Sequence, residues 1–484
     1  ALYIFNDFQG IYGRGMNLYS LVPSDDFVVG KPKSQIEEIK DFITSGNGSY
    51  TRDIWPMHFI VVKRANDIIR NVPDLEINAD VKNFALGEAY FMRGLAYFQL
   101  SILYGDNNSG GIPIVDETIT EDFFIERPTS VSTSYEFAAE SFTKAAALLP
   151  YFDAANSDRL GRPHKNAALG YLARVHLHNA EFNPASWDSV ITACDEVINS
   201  NKNALESNFE DAFKIASNWG SEYLWSVPSN TIGGSMFAGA SLENRGWGKY
   251  NGWGYFAPTL ELYESYEAGD ARRDATLLAF GDEFEFFGST RKYASANSLT
   301  GFQLKKYLEP FGYANAVELN PNGDHPSTNL NLPLLRYSHI LLMKAEALIV
   351  KNGAGSGDTE INLVRARANL AAKTGATLED LKAERRAEFA GELLGRYEDL
   401  CRWGDVAKIK GALHGKRHLG VVFDTADGDN KGFPVLSTDF TEVFPTTEVW
   451  QERSNFILET HRVWPIPANA IDTSRETLSQ NLGW

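Results

Sequence analysis

The feature that most constrains this chain is a change of texture along its 484 residues. Helix-periodic apolar segments before about residue 202 and between 331 and 413 flank a stretch where glycine, asparagine and aromatic residues break every period. Trp55, Phe59, Val62, Asn66 and Ile69 recur at steps of four and three, one face of a helix. Asp53 stands where a cap would, and Pro56 falls in the first turn, where proline is tolerated. A second helix is predicted from about Asp80 to Tyr104, with an apolar face of Val81, Ala85, Phe91, Leu95, Phe98 and Ile102 and a stop at Gly105. A third runs from about Ser134 to Leu149 and ends at Pro150. A fourth, about Pro163 to Glu181, is followed by a fifth, about Ser186 to Ser200, with Trp187, Ile191, Cys194 and Ile198 on one face. These two make a helix-turn-helix hairpin of near tetratricopeptide length, and a second pair is predicted near Leu334 to Val350 and Asp358 to Leu370. The tetratricopeptide consensus is matched poorly, so the reading is hairpin geometry and not a regular array.

The remaining segments read as irregular. Gly10 to Lys33 is loop-like, with Gly-Arg-Gly and Pro-Ser-Asp-Asp. Residues 203–330 hold short alternating runs such as Glu222-Tyr-Leu-Trp-Ser-Val and turn clusters such as Ile232-Gly-Gly-Ser. Glycine and aspartate again punctuate short strands from Gly411 to Phe444. No long linker divides the chain. The expected fold is mostly α: tetratricopeptide-like helix pairs over 50–202 and 331–413, with a loop-rich, short-strand insertion over 203–330, all within one unit spanning 1–484.

Charge excludes some functions. Lys plus Arg number 45 against 63 Asp plus Glu, a formal charge of −18. Nucleic acid and anionic lipid surfaces both require a basic face, so neither is expected as a partner. Apolar runs such as Phe59-Ile60-Val61-Val62 stop at charges well short of the ~20 residues that span a bilayer. Cys194 and Cys401 form no disulfide framework or zinc spacing. His176 and His178 lie two apart on a predicted helix and face different sides, and glycines near His414 and His418 argue against a helix there. No nucleophile elbow, phosphate loop or dinucleotide fingerprint stands in its required context, and no cofactor is expected. Asp282, Glu283 and Glu285 beside phenylalanines read as a solvated acidic turn, since a glycosidase pair needs a fixed separation across a cleft. Asp424 to Asp429 lacks the downstream Glu of a calcium loop.

Aromatic residues make up 12% of the chain, and many Tyr and Trp lie in glycine-rich loops. The densest case is Asn244-Arg-Gly-Trp-Gly-Lys-Tyr-Asn-Gly-Trp-Gly-Tyr255. Sugar rings offer apolar C–H faces to a flat ring and a rim of hydroxyls to amides and guanidinium groups. The candidate ligand-binding residues are therefore Trp247, with Tyr250 or Trp253 extending the platform, and Arg245 and Asn251 for hydroxyls. Trp219 and Tyr293, near Asn218 and Arg291, are secondary candidates. The competing reading is that these rings plug the loop block onto the helices, and for Trp253 the two carry about equal weight.

Four segments in order carry a family resemblance. They are Gly87-Glu-Ala-Tyr-Phe-Met-Arg-Gly-Leu-Ala-Tyr-Phe-Gln-Leu with Gly111-Ile-Pro-Ile-Val; Leu335-Arg-Tyr-Ser-His-Ile-Leu-Leu-Met-Lys-Ala-Glu-Ala-Leu with Arg365 and Arg367; Glu384-Arg385, Glu388-Phe389 and Arg396 through Gly404; and Trp464-Pro-Ile-Pro with Gln480-Asn-Leu-Gly-Trp484. Together they resemble the SusD/RagB family, the surface glycan-binding lipoproteins of Bacteroidetes. Glu392-Leu-Leu-Gly395-Arg396 is one residue longer than the family's run, and the ending has Leu-Gly-Trp where Pro-Gly-Tyr is usual. The resemblance implies a non-enzymatic protein that captures a polysaccharide or oligosaccharide and passes it to a SusC-like TonB-dependent transporter. It also implies the cell-surface face of the outer membrane, reached through a lipid anchor that this chain does not contain. A glycoside hydrolase and a tetratricopeptide-type protein-binding scaffold are the alternatives. Arg336, Arg365, Arg367, Arg385, Arg396 and Arg402 could form an anion site, but Glu346, Glu384, Glu388 and Asp399 favour Arg–carboxylate pairs between packed helices, with Arg396 and Asp399 expected as one buried pair.

Overall fold

The computed structural model describes residues 11–31, 33–120, 124–229, 241–243, 247, 252–286, 289–294, 298–308, 328–417, 422–423, 425, 434–435, 446–450 and 453–484. Helix dominates over strand. Helices Ile54–Asn71, Ala79–Tyr104, Val131–Leu148, Lys165–Asn179 and Ser186–Asn199 follow one another close to their expected bounds. Asn78 starts the second: its carboxamide oxygen accepts the N–H groups of Asp80 and Val81 at 2.8 and 3.3 Å, satisfying two orphan donors. Gly105 is its C-cap.

Neighbouring helices interlock through small and flat residues. A Cβ on Gly94 would meet the Phe142 ring at 3.1 Å, so only glycine permits this approach of the second and third helices. Phe91 then sets its edge against Phe142 and Tyr171, 5.4 and 5.7 Å between centroids. Two helix faces differ from expectation. Val81 is 56% exposed, because the first turns of its helix overhang the packed region. On Ser186–Asn199 the buried line is Val190, Ala193, Cys194 and Val197, leaving Trp187, Ile191 and Ile198 half-buried at its flanks.

The second helical block also differs in its start. The helix expected from Leu334 begins at Tyr337, because Leu332–Arg336 is a fully buried strand antiparallel to Tyr223–Val227. Both strands lie on the fourth helix at Gly170, where a Cβ would sit 2.7 and 2.9 Å from Leu335 and Leu224. Helices Tyr337–Asn352, Asp358–Arg367, Leu378–Phe389 and Arg396–Trp403 follow, the last stopped by Gly404 at φ 71°.

Gly10 to Lys33 is not the expected loop over its described part. A π turn, Ile11–Gly15, runs into helix Met16–Leu21, and Phe27–Val29 is a strand. Tertiary packing overrides the local glycines: Met16, Leu18, Tyr19 and Val22 are fully buried, and Tyr19 stacks on Trp464 at 4.3 Å. One cluster of buried apolar residues extends from Ile11 to Leu478. Over 203–330 the described strands are short and pair two by two: Tyr223–Val227 with Leu332–Arg336, Phe256–Pro258 with Phe27–Val29, Leu277–Leu278 with Gln303–Leu304, and Glu283–Phe286 with Ser289–Lys292. No described helix is long and apolar enough to cross a membrane. Cys194 and Cys401 are buried free thiols.

Candidate functional site

The arginine-rich segments build an interior ionic lattice. Arg336, fully buried, donates to Glu388 at 3.0 Å and Glu392 at 2.6 Å and also pairs with Glu222. Arg272 binds Asp270 and Glu384, Arg365 binds Glu267 and Glu384, and Arg367 binds Glu222 and Glu388. Burial alone would raise the Glu388 carboxyl, but Arg367, Arg336 and Arg272 outweigh it and hold it far below the usual carboxylate range. Among the described residues each of these cations has carboxylates of its own, so the lattice balances its charge internally. The expected pairing of Arg396 with Asp399 is corrected. Arg396 forks onto Asp25 at 2.7 and 2.9 Å, whereas Asp399 is held by Arg385 and Arg402.

The expectation of an exposed Trp247 platform is also corrected. Trp247 is 1% exposed. Its ring lies 5.2 Å from Phe284, 6.1 Å from Phe286 and 5.9 Å from Tyr293, with Leu242, Leu278 and Leu308 completing the cluster. The cause is the Glu283–Phe286 strand, whose alternation sends Phe284 and Phe286 inward and leaves Glu283 and Glu285 in solvent. Tyr293, 3% exposed in the same cluster, presents no open face. Arg245, Tyr250 and Asn251 lie outside the described residues.

Trp219 is half-buried in the wall of a shallow pocket with Phe152, Arg162, His164 and Tyr223. Two of its polar side chains are already engaged, while the buried Trp225 indole N–H in its wall has no hydrogen-bond partner among the described residues. Asn218 donates to the Asn329 carbonyl and accepts from Asn331 N–H, both at 2.8 Å, and Arg162 forks onto Glu88.

Trp253 has a different setting. The chain around it is clamped on both sides. Gly252 N–H donates to Glu243 O and Gly254 N–H to Leu242 O, and a Cβ on Gly252 would sit 1.8 Å from the Leu242 carbonyl oxygen. On the other side, Gly30 N–H donates to Tyr255 O, extending the pairing of Phe27–Val29 with Phe256–Pro258 by one residue. That register carries the chain on to Lys33, whose ammonium lies 5.8 Å from the Tyr255 ring. Arg14, on the π turn, stacks its guanidinium 3.7 Å over Tyr50 and 5.7 Å from Trp253. Trp253 and Tyr255 are 5.7 Å apart, and Tyr50 and Tyr255 6.4 Å. Tyr50, Trp253 and Arg14 are half-buried, Lys33 is exposed, and Tyr255 forms the floor.

The electrostatics of this group are one-sided. Burial pushes the Tyr50 phenol up, but the Tyr255 hydroxyl and the charges of Lys33 and Arg14 outweigh it and leave Tyr50 below the ordinary tyrosine value. Tyr255 is shifted the other way, by burial and by its Tyr50 neighbour. The arrangement offers flat ring surface, two phenols and two cationic donors at one half-open place, the surfaces and hydrogen-bonding groups that a sugar presents in complement. Tyr50, Arg14 and Lys33 were not among the residues expected from sequence. Their signal was present in Gly13-Arg14-Gly15 and Gly48-Ser49-Tyr50, which repeat the glycine-polar-aromatic texture of residues 244–255.

Comparison with known proteins decides the family. The model described as the SusD family matches residues 221–484, more than half of the chain. The chain belongs to the SusD family. A second SusD-like model, described as starch-binding and associating with the outer membrane, matches residues 14–177. SusD-like protein P2 of Formosa agariphila is 25% identical over 432 residues, covering 83% of this chain and 80% of that protein. A SusD-like protein from Bacteroides fragilis superimposes with a TM-score of 0.79 at 21% identity, over 97% of this chain and 94% of the other. A laminarin-binding SusD-like protein gives 0.73 at 20% identity, over 100% and 97%. At these identities the structural matches establish a SusD-like, mostly α fold.

Proposed function

We propose that this SusD-family chain is a non-enzymatic glycan-binding protein of an outer-membrane uptake system. In this reading it sits at the cell-surface face, lipid-anchored, holds a polysaccharide or oligosaccharide on Tyr50, Trp253 and Tyr255, and delivers it to a SusC-like TonB-dependent transporter. The observation that carries it is the half-open ring cluster, where a described candidate ring keeps partial exposure beside two phenols and two cations that have no described carboxylate. The whole 203–330 block would then be the ligand face only where Trp253 meets the N-terminal segment. The glycan-binding names of relatives support the ligand class, laminarin in one case and carbohydrate in another.

Support for a role without catalysis comes from the acids first weighed as a hydrolase pair. Glu283 lies 3.6 Å from Lys292 and Glu285 accepts from Thr290 at 2.8 Å, side by side on one strand face, while the third acid, Asp282, accepts from Ala279 N–H at 2.7 Å. The experiment is a glycan array followed by affinity electrophoresis on the best glycan, with a reducing-end assay in parallel. Retardation without new reducing ends is the expected result. New reducing ends would make the chain a hydrolase, and no retardation by any glycan would favour a protein-binding scaffold.

A further inference from the structure

The cations of the Tyr50–Trp253 cluster differ from those of the buried ionic lattice. Arg336, Arg367, Arg396 and Arg402 each contact carboxylates. Among the described residues Arg14 forms no ion pair. Its neighbours are the rings of Tyr50 and Trp253 and the Tyr255 hydroxyl, and its Nε is buried without a hydrogen-bond partner. Lys33 likewise has only Tyr50 and Tyr255 for company, with no described carboxylate in contact. In a chain with 18 more acids than bases, both cations of this half-open ring cluster lack a described acid. A partly desolvated guanidinium lacking an anion is unfavourable, and cation–π contact offsets only part of that cost. The overall negative charge repels polyanions at a distance, so any preference for them must arise from groups in direct contact.

We infer that the Tyr50–Trp253 site takes an anionic glycan, whose carboxylate or sulfate ester meets Arg14 and Lys33 while a sugar face lies on the adjoining rings. This rests on the reading of that cluster as the glycan site. A guanidinium edge and an ammonium on the same pair of phenols match the oxygens of either anion, and the aromatic floor matches the sugar that bears it. Two anions share this chemistry, and matched probe pairs separate them.

The test is calorimetric titration of the full chain with oligogalacturonate and its methyl ester, and with a carrageenan oligosaccharide and its desulfated counterpart. At least one charged member is expected to bind about tenfold or more tighter than its neutral partner. Lys33→Met, at an exposed position that spares the fold, is expected to remove about tenfold from the charged probe and leave the neutral one within about twofold. Arg14→Gln is expected to act in the same direction, with circular dichroism confirming that it folds. Equal or tighter binding of both neutral members overturns the inference, as does an equal loss on both members in Lys33→Met. If no probe binds but an array glycan of neutral sugars does, the anionic class fails while the glycan site stands. If nothing on the array binds, the site reading itself fails.

Discussion

Two tryptophans six residues apart, in one glycine-rich loop, meet opposite environments. Trp247 lies under Phe284, Phe286 and Tyr293 and is closed off, while Trp253 sits half-open beside Tyr50 and Arg14. The difference lies in what arrives from elsewhere in the chain. The paired strands Glu283–Phe286 and Ser289–Lys292 bring apolar cover to Trp247, whereas the N-terminal part of the chain brings the Tyr50 phenol and two cations to Trp253. Local texture therefore marks such a loop as aromatic without deciding which ring is enclosed and which stays partly exposed. The charged residues divide in the same way: the lattice around Arg336 is closed by its own carboxylates, and Arg14 and Lys33 have no carboxylate partner among the described residues.

The largest expected effect belongs to the closed regions. Arg336→Ala leaves Glu222, Glu388 and Glu392 buried without their shared cation and should cost on the order of 3–5 kcal/mol in chemical denaturation, enough to prevent folding of a marginal domain. Trp247→Ala should also cost about 3–5 kcal/mol of stability, with glycan affinity retained by whatever remains folded. A loss of affinity at unchanged melting temperature would reopen Trp247 as a ligand residue and erase the contrast with Trp253.

A smaller, pH-dependent effect sharpens the boundary between interior and site. Burial pushes the Glu398 carboxyl up to about 8, with Ser20 as its side-chain partner at 3.2 Å. The folded state therefore keeps a proton that the unfolded chain releases near its ordinary value of about 4.3. Glu398 contributes stability that is fully present below about pH 4.3 and is lost as pH rises through about 8. Glu398→Gln should flatten that part of the stability–pH curve without changing glycan binding. A curve of unchanged slope would show that Glu398 is ionised in the fold.

Much of the helical frame was legible from short-range patterns, and the departures share one cause. Periodicity and the Gly105 stop located Ala79–Tyr104, because caps and apolar steps act within a few residues. Val81 was misassigned because the periodicity continues past the point where neighbours are available to cover it. Gly10 to Lys33 looked like a loop because its burial depends on partners such as Trp464, more than four hundred residues away. The paired character of the arginines was readable from their chemistry, but the partner of Arg396 was not. Asp25 is 371 residues upstream, while the discarded Asp399 is three residues away. At the site, Trp253 was recognisable and Tyr50, Arg14 and Lys33 were not, because the π turn brings Arg14, the Phe27–Val29 pairing brings Lys33, and Tyr50 reaches it only through contact with Arg14 and Tyr255.

The most direct measurement is a paired one on Tyr50→Ala and Trp253→Ala: affinity for the tightest glycan of the array, and melting temperature, on the same preparations. Each variant should lose about 2 kcal/mol of binding, near thirtyfold, as central aromatic anchors do. Tyr50→Ala should melt within a few degrees of the wild type, since its ring is half-open and outside the closed lattice. Full affinity in both variants, with a large fall in melting temperature, would make these rings packing residues like Trp247 and place the glycan elsewhere.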